Sequence, residues 1–162
     1  MAQTLNLTIT ADVLTEAELS PAETRCWQAA QAATAHSYAP YSHFHVGAAL
    51  LLDDDSICWN VNQENAAYPS GLCAERTALF GLANQPERRI RLMAVAARPQ
   101  NGEFVPVTSC GACRQVMAEF EQRQAEPITL LLPGPDGTIW RFQRLTDLLP
   151  FQFMADVLPT RA

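Results

Sequence analysis

Three cysteines and one glutamate have the residue types and the spacing that could do chemistry in this chain. Cys73 and Glu75 lie in the run Cys-Ala-Glu-Arg, and Cys110 and Cys113 lie in the later run Cys-Gly-Ala-Cys. Ser70 can accept a backbone N–H three residues on, so we expect a helix to start there, with Cys73 in its first turn, where the helix dipole favours a thiolate. Cys110 and Cys113, three residues apart, would share one face of a second helix. Three thiolates supply three of the four ligands of a tetrahedral zinc ion and leave the fourth position to water.

Two charged residues that follow Cys73 complete this interpretation. Glu75 can reach the water at such an ion without binding the metal, and a carboxylate in that place can act as general acid and base. Arg76 would donate hydrogen bonds to the thiolates and draw electron density from them, which keeps the water acidic. The pattern is similar to the signature of zinc deaminases, in which a Cys or His, one further residue and a Glu precede a Cys-x-x-Cys pair.

Other interpretations of these residues stay open at this point. A structural zinc ion would need a fourth protein ligand that the two motifs do not supply. A redox pair of Cys110 and Cys113 would leave Cys73 and Glu75 without a role. The three aspartates at 53–55 could suggest a cation site, but their place between two predicted strands favours a solvated hairpin tip.

The composition excludes several kinds of protein. The chain has 162 residues and a formal net charge of −6 without any lysine, so we expect no binding to nucleic acid, whose phosphates an acidic surface repels. No apolar run reaches the roughly 20 residues of a membrane helix, and the first residues lack the basic and apolar parts of a signal peptide. Five cysteines, an odd number, favour a reducing compartment, and we therefore expect a cytoplasmic protein without membrane contact.

The periodicity of apolar residues places the motifs on an α/β fold. Alternation at Leu5, Leu7 and Ile9 predicts an extra strand in an N-terminal extension of residues 1–19, and a capping box that begins at Ser20 predicts a helix from Pro21. The other expected strands are at 44–52, 57–62, 90–97, 128–132 and 138–143. The helix that begins at Pro21 should end at about 36. A second helix should run from Ser70 to about Asn84, and two more should cover 110–123 and 145–149. This order predicts one domain over residues 1–162, a three-layer α-β-α sandwich with a mixed, mostly five-stranded sheet. Both cysteine helices would begin at the carboxyl edge of that sheet.

Taken together, the motifs resemble the cytidine deaminase family, and within it the small type with three zinc-binding cysteines. The resemblance covers residues 37–153 and rests on the cysteine motifs and on three further runs. These runs are Tyr41-Ser42-His43-Phe44, Asn62-Gln63-Glu64-Asn65-Ala66-Ala67-Tyr68 and Leu148-Leu149-Pro150-Phe151-Gln152-Phe153. The resemblance implies a Zn²⁺-dependent enzyme of pyrimidine salvage that hydrolyses cytidine or deoxycytidine to uridine or deoxyuridine with release of ammonia.

The resemblance also implies substrate-binding roles for five residues. Asn62 and Glu64 match the pair that holds the ribose 3′-hydroxyl in the family, where an amide and a carboxylate can clasp a group that both donates and accepts. Phe44 matches the aromatic residue that packs on the pyrimidine, and the backbone of Ala74 matches the contact to the pyrimidine carbonyl. Thr108 stands where the family has the carbonyl that receives the leaving amino group.

The end of the chain carries one further implied role. Phe153 matches a C-terminal aromatic residue that reaches the site of a neighbouring subunit, because family members of this size are typically homotetramers. Three features depart from the family pattern: Ser109 stands where proline is usual, the run 69–71 before Cys73 contains a glycine, and residues 1–19 exceed the usual start.

Two other functions remain open at this point. A deaminase of a modified cytosine nucleoside, such as a blasticidin-type antibiotic, would share the zinc and glutamate motifs. The ribose-binding pair Asn62 and Glu64 favours an ordinary nucleoside over that substrate. A zinc-binding protein without catalysis is the second alternative, and an intact Glu75 argues against it, since such a protein has no physical need for a carboxylate beside the metal.

Overall fold

A six-stranded mixed sheet carries the fold in the computed structural model, which describes residues 2–154 and residue 158. The strands are β1 (Asp12–Leu14), β2 (Phe44–Leu52), β3 (Ile57–Val61), β4 (Ile90–Pro99), β5 (Thr129–Pro133) and β6 (Ile139–Phe142). The α-helices of the described residues are α1 (Pro21–Ala33), α2 (Ala74–Gly81) and α3 (Gly111–Gln124). The spatial order of the strands is β1-β6-β5-β4-β2-β3, with β4 parallel to β5 and every other neighbouring pair antiparallel.

Alternate residues of the central strands pack into two separate cores. In β2, Leu50 faces the core that α2 and α3 cover, and the next residue, Leu51, faces the core that α1 covers. This follows from the period of two along a strand, since both faces of the sheet are covered by helices. The predicted α-β-α sandwich is confirmed, with six strands in place of the mostly five-stranded sheet, because a short strand near the N-terminus adds to one edge.

That edge strand lies elsewhere than the sequence pattern predicted. The strand expected at 5–9 is wrong, because residues 2–11 have no regular structure and their three alternating apolar side chains are more than half exposed. The strand of this segment is β1, which pairs with β6. Arg141 of β6 binds the Asp12 carboxylate at 2.9 Å and the Glu23 carboxylate of α1 at 3.1 Å. The position of β1 therefore depends on partners that are distant in sequence.

Helix α1 lies unusually close to the sheet at one glycine. The predicted capping box is present, with Ser20 and Glu23 bonding each other's backbone N–H groups. A Cβ atom at Gly47 of β2 would lie 2.2 Å from the carbonyl oxygen of Ala30. Only a residue without a side chain permits this approach. The helix ends at Ala33 and continues as a 3-10 turn, Thr34–His36, so its predicted end at about 36 includes that turn.

The two cysteine helices begin at one edge of the sheet. Strand β3 is antiparallel to β2, and β2 is antiparallel to β4, so β3 and β4 end at the same edge. Helix α2 follows β3 in the chain and α3 follows β4. The first residue of β2, Phe44, also lies at this edge, because β2 runs in the opposite direction. The chain thereby brings the start of β2, the segment after β3 and the N-termini of both helices together.

The aspartates of the β2–β3 hairpin lie at the other end of the sheet, away from the N-termini of α2 and α3. Arg88 Nη2 binds the Asp54 carboxylate at 2.8 Å, and Arg91 Nη1 binds the Asp55 carboxylate at 2.7 Å. The carboxylates have arginine partners, which agrees with the hairpin interpretation rather than a cation site.

No helix among the described residues is long and apolar enough to cross a membrane.

Candidate active site

The N-termini of α2 and α3 position the three motif cysteines. Cys73 is the N-cap of α2 and Cys110 is the N-cap of α3, while Cys113 lies in the first turn of α3. The helix start expected at Ser70 is wrong, because Ser70 ends a separate 3-10 turn, Tyr68–Ser70, and α2 begins only at Ala74. Both N-cap residues have extended backbones, which directs their thiols towards the space between the two helix ends.

The sulfur atoms have the spacing of a tetrahedral thiolate site. The Sγ atoms of Cys73 and Cys110 are 4.0 Å apart, those of Cys110 and Cys113 are 3.4 Å apart, and all three lie within 4.8 Å of one another. Zn–S bonds of about 2.3 Å at tetrahedral angles place two sulfurs about 3.8 Å apart. Cys113 is buried, whereas Cys110 is exposed, so the cluster is open on one side. The three residues are thus able to hold a zinc ion with one position free.

The surroundings of the cluster favour negative charge on Cys73. Its pKa is lowered to about 5, by a hydrogen bond from the Cys113 thiol and by Arg76, against the opposing effect of burial. Arg76 Nη2 lies 3.7 Å from Cys73 Sγ and donates to it. The hydrogen bond with Cys73 and burial both raise the pKa of Cys113. A cation bound among the sulfurs would offset this concentration of charge.

Glu75 is a buried carboxyl group beside the sulfurs. It is the second residue of α2, its exposed fraction is only 5%, and it lines a cavity that opens beside the sulfurs. Its pKa is raised, chiefly by burial and also by the negative charge of Cys73. A carboxyl group whose pKa lies nearer neutrality can both take up and release a proton at physiological pH. Glu75 therefore has the environment of a general acid and base.

A cavity of about 690 Å³ opens above this carboxyl group. It is formed by the start of β2, the segment that follows β3, and the ends of the two cysteine helices. Of the residues singled out from the sequence, those that line it are Phe44, Asn62, Glu64, Cys73, Glu75, Arg76, Thr108 and Cys110. Ala74 and Cys113 are buried behind its wall, and Phe153 lies outside it. The structure thus brings most of the candidate residues into one concave site.

Asn62 ties two strands together at the edge of the cavity. Its Oδ1 atom accepts a hydrogen bond from the Val46 N–H at 2.8 Å, and its Nδ2 atom donates to the Phe44 carbonyl at 3.0 Å. One N–H hydrogen and one lone pair of the amide are then left for other partners. Asn62 therefore holds the first residues of β2, including Phe44, against the end of β3.

Glu64 organises the loop that precedes β2. Its Oε2 atom accepts hydrogen bonds from the backbone N–H groups of Tyr41, at 2.9 Å, and Ser42, at 3.3 Å. Bonds from Ser42 and Tyr41 lower the pKa of Glu64, so the group stays ionised at neutral pH. Among the described residues no hydrogen bond reaches its Oε1 atom. One oxygen of the carboxylate thus holds the loop while the other is free.

Ala74 and Phe153 do not line the cavity, but both were assigned a role from the sequence. Ala74 is the first residue of α2, where a backbone N–H has no partner within the helix, and none is found elsewhere in the described chain. Phe153 is 62% exposed, but its backbone is fixed, because Gln115 Nε2 donates to its carbonyl at 2.8 Å and its N–H donates to Gln115 Oε1 at 3.2 Å. The aromatic ring is therefore presented outward from a held backbone.

Some residues of the site had no role in the sequence analysis. Tyr41 and Tyr68 line the cavity and form an edge-to-face pair with ring centroids 5.9 Å apart. Arg114 Nε donates to the Ser109 carbonyl at 2.8 Å and its Nη1 donates to the Leu148 carbonyl at 3.1 Å. Tyr41 and Tyr68 belong to motifs quoted above, and Arg114 directly follows Cys113, but a motif does not reveal which backbone group a side chain will bind.

The chain is similar in sequence and structure to proteins of known name. The sequence model of the cytidine and deoxycytidylate deaminase zinc-binding region matches residues 21–126. The cytidine deaminase of Halalkalibacterium halodurans is 51% identical over 120 residues, 74% of this chain and 85% of that protein. The cytidine deaminase of Mycobacterium tuberculosis is 39% identical over 127 residues, 78% of this chain and 86% of that protein. The crystal structure of cytidine deaminase from Burkholderia pseudomallei, 38% identical, matches with a TM-score of 0.67 over 80% of this chain and 97% of that one.

Proposed function

Since this chain belongs to the cytidine and deoxycytidylate deaminase family, we propose that it catalyses the zinc-dependent hydrolytic deamination of cytidine and deoxycytidine. The observation that carries the proposal is the juxtaposition of the cysteine cluster with the buried carboxyl group of Glu75 at the base of one cavity. The reaction replaces the C4–NH₂ group of the pyrimidine by an oxygen from water and releases ammonia. The names of the relatives favour an ordinary nucleoside over an antibiotic of the blasticidin type.

Cys73, Cys110 and Cys113 would hold the zinc ion. Bound there, zinc supplies Lewis acidity, which lowers the pKa of water in the site. Arg76, at 3.7 Å from Cys73 Sγ, would withdraw electron density from the thiolates and support that acidity. The open side of the cluster at the exposed Cys110 faces the cavity, which gives water and substrate access to the same point.

Glu75 would carry the protons of the reaction. Its carboxylate accepts a proton from the attacking water and delivers it to N3 of the ring as the C4–O bond forms. The same carboxyl group then takes the remaining proton from the new C4 hydroxyl and delivers it to the amino nitrogen, so that the C4=O bond forms as the C4–N bond breaks and ammonia leaves. The raised pKa that burial gives Glu75 suits both directions of transfer near neutral pH.

Residues in and behind the cavity wall would hold the nucleoside in place. Phe44 would pack on the pyrimidine face, the free N–H of Ala74 would donate to the pyrimidine carbonyl, and the carbonyl of Thr108 would receive the departing amino group. Asn62 and the free oxygen of Glu64 would bind the ribose 3′-hydroxyl. Two observations support this pair. Backbone groups already hold the Asn62 amide and the Oε2 atom of Glu64 in place. The amide keeps one N–H and one lone pair, and Glu64 keeps its Oε1 atom, for a hydroxyl of the substrate.

The functional unit would be the whole chain as one domain, assembled as a homotetramer in the cytoplasm and active in pyrimidine salvage. Phe153 would then reach the site of a neighbouring subunit. Support comes from its outward ring on a backbone held by Gln115. Sedimentation equilibrium of the wild type and of Phe153→Ala tests the assembly. A monomeric wild type with full activity would contradict it.

The direct test of the activity is the absorbance change on mixing zinc-analysed protein with cytidine and with deoxycytidine. We expect loss of the cytosine absorption band and one ammonia released per nucleoside consumed. No ammonia from either nucleoside, with about one zinc per chain, would refute the proposed substrates and leave the metal site in place.

A further inference from the structure

Residues 108–110, the cavity segment, carry two groups of the proposed site but form few hydrogen bonds of their own. Thr108 and Cys110 line the cavity, and Ser109 between them is 3% exposed. Neither the hydroxyl nor the N–H of Ser109 has a hydrogen-bond partner in the part of the chain that the structure describes. The cavity segment precedes the first residue of α3 and belongs to no strand. Its position therefore depends on the bond that the Ser109 carbonyl accepts.

That carbonyl is bound by the guanidinium of Arg114. Arg114 lies one turn beyond Cys110 in α3, and its Nε atom donates to the Ser109 carbonyl at 2.8 Å. Its Nη1 atom donates to the Leu148 carbonyl at 3.1 Å. Because a guanidinium is planar and its N–H groups point in fixed directions, two such bonds set both the distance and the direction between the two carbonyls. Arg114 thus joins the cavity segment to the C-terminal part of the chain.

The Leu148 carbonyl is a fixed point, because a buried carboxylate holds the turn to which it belongs. Leu148 is the last residue of the 3-10 turn Leu145–Leu148. Glu121 of α3 is 3% exposed and accepts hydrogen bonds from the N–H groups of Leu145, at 2.9 Å, and Thr146, at 3.2 Å. The turn is bound to α3 at its start by Glu121 and at its end by Arg114. The cavity segment is therefore held against a part of the chain that is itself fixed to the helix.

We propose that Arg114 is a positioning residue, which holds the Ser109 carbonyl and so keeps the Thr108 carbonyl and the Cys110 thiol where the reaction needs them. The inference rests on the proposed function, because those two groups would receive the leaving amino group and bind the metal. Arg114 itself does not line the cavity. A displacement of about 1 Å in an active site can lower a rate about 100-fold. Loss of the two bonds should therefore slow the reaction although no group that touches the substrate is changed.

Arg114→Met tests the proposal, because methionine keeps an apolar side chain of similar length and donates no hydrogen bond. The Val107 N–H, which donates to the Pro133 carbonyl next to the cavity segment, should exchange with solvent at least about tenfold faster. Exchange in α1 should stay the same, because the change is local. With cytidine we expect kcat per bound zinc to fall about 10- to 100-fold and KM to change by less than about threefold.

Two further variants separate this hold from other effects. Arg123→Met removes an exposed arginine from the same helix and should match the wild type in exchange and kinetics. Ser109→Pro, added to Arg114→Met, is the rescue, because proline fixes its own φ and restricts the residue before it. The φ of Ser109 is not positive and its N–H has no partner in the described chain, so proline removes no hydrogen bond there. The double variant should return Val107 exchange towards the wild-type rate and regain at least about fivefold in kcat.

The outcomes separate this inference from the proposed function. Wild-type exchange at Val107 in Arg114→Met would overturn the inference, and so would equally faster exchange in α1, which would show a general loss of stability. Unchanged kcat in that variant, with ammonia released by the wild type, would overturn it as well. A wild type that releases no ammonia would refute the proposed function, and the exchange rates alone would then decide whether Arg114 holds the cavity segment. If Arg114→Met does not fold, Arg114→Lys, whose ammonium lacks the planar geometry, replaces it with smaller changes expected in the same directions.

Discussion

Arg76 and Cys73 lie one turn apart at the start of α2, and Nη2 of the arginine donates a hydrogen bond to Sγ of the cysteine over 3.7 Å. A guanidinium keeps its charge at any physiological pH, and hydrogen bonds that involve an ionised partner are stronger than neutral ones. The pair therefore places a permanent positive charge beside the cysteine cluster, at the wall of the cavity. Its expected effect is on the acidity of water in the site more than on retention of the metal.

Replacement of Arg76 by glutamine tests that distinction. We expect Arg76→Gln to lower kcat about tenfold while zinc stays near one per chain, because three thiolates still bind the ion without the guanidinium. Metal analysis and steady-state kinetics on the same sample provide the comparison. Arg76→Lys keeps a positive charge but not the planar group, so its kcat should lie between that of the wild type and that of Arg76→Gln. Turnover in Arg76→Gln equal to that of the wild type would refute the electrostatic role.

Glu75→Gln should remove the proton carrier and spare the metal site. We expect zinc content near that of the wild type and a kcat lower by at least about 100-fold, the usual size of general acid–base catalysis. Glu119→Gln is the matched control, since Glu119 lies exposed on α3 and should show wild-type kinetics. Near-normal turnover in Glu75→Gln would exclude the proposed mechanism.

Gly47→Ala should destabilise the fold at the contact between β2 and α1. The new Cβ would lie 2.2 Å from the carbonyl oxygen of Ala30, so the helix must move away from the sheet. We expect the free energy of unfolding in urea to fall by about 1–3 kcal/mol. Gly81→Ala is the control, since the nearest atom to a Cβ there is Asn60 Nδ2 at 3.8 Å, and its stability should stay the same or rise slightly. Equal stability of the two variants would contradict the close packing of α1.

Glu23 should make the stability of the fold depend on acidic pH. Burial raises the pKa of Glu23, but bonds from Ser20 and Arg141 outweigh it, so the folded pKa lies below the ordinary 4.5. Because the folded pKa is the lower one, the stabilisation is complete above the unfolded pKa and is lost as pH falls through the folded value. Glu23→Gln should therefore cost about 1 kcal/mol at pH 7 and nothing well below pH 4.

Urea unfolding of the wild type and of Glu23→Gln at several pH values measures this difference. Glu119→Gln again serves as the control with an exposed carboxylate. A stability difference between the wild type and Glu23→Gln that is the same at pH 7 and at low pH would show that the loss is due to packing rather than to ionisation.

Local patterns in the amino-acid sequence were sufficient for much of this fold. The capping box at Ser20 identified the start of α1, and the apolar run at 44–52 matches β2 residue for residue. Both signals depend on neighbours a few residues away, so the chain alone contains the information. The spacing of Cys110 and Cys113, together with Cys73, likewise indicated a metal site, because ligand chemistry restricts the possible residue types.

Other features were decided only by contacts between distant parts of the chain. Alternating apolar residues at 5–9 predict a strand, yet the strand forms at Asp12–Leu14, where Arg141 supplies a partner 129 residues from Asp12. An edge strand needs a neighbour with free hydrogen-bonding groups, and local periodicity does not reveal where that neighbour lies.

In the candidate site, too, some features could be predicted from the sequence and others required the tertiary structure. The three cysteines that are candidate metal ligands, and Glu75 as the candidate proton carrier, were predicted from the sequence by itself, since the chemistry permits few other residue types. The fixed amide of Asn62, the loop held by Glu64 and the buried hydroxyl of Ser109 became visible only in the tertiary structure. Hydrogen-bond partners and burial depend on how the start of β2, the end of β3 and the two cysteine helices meet, and that meeting is a property of the folded chain.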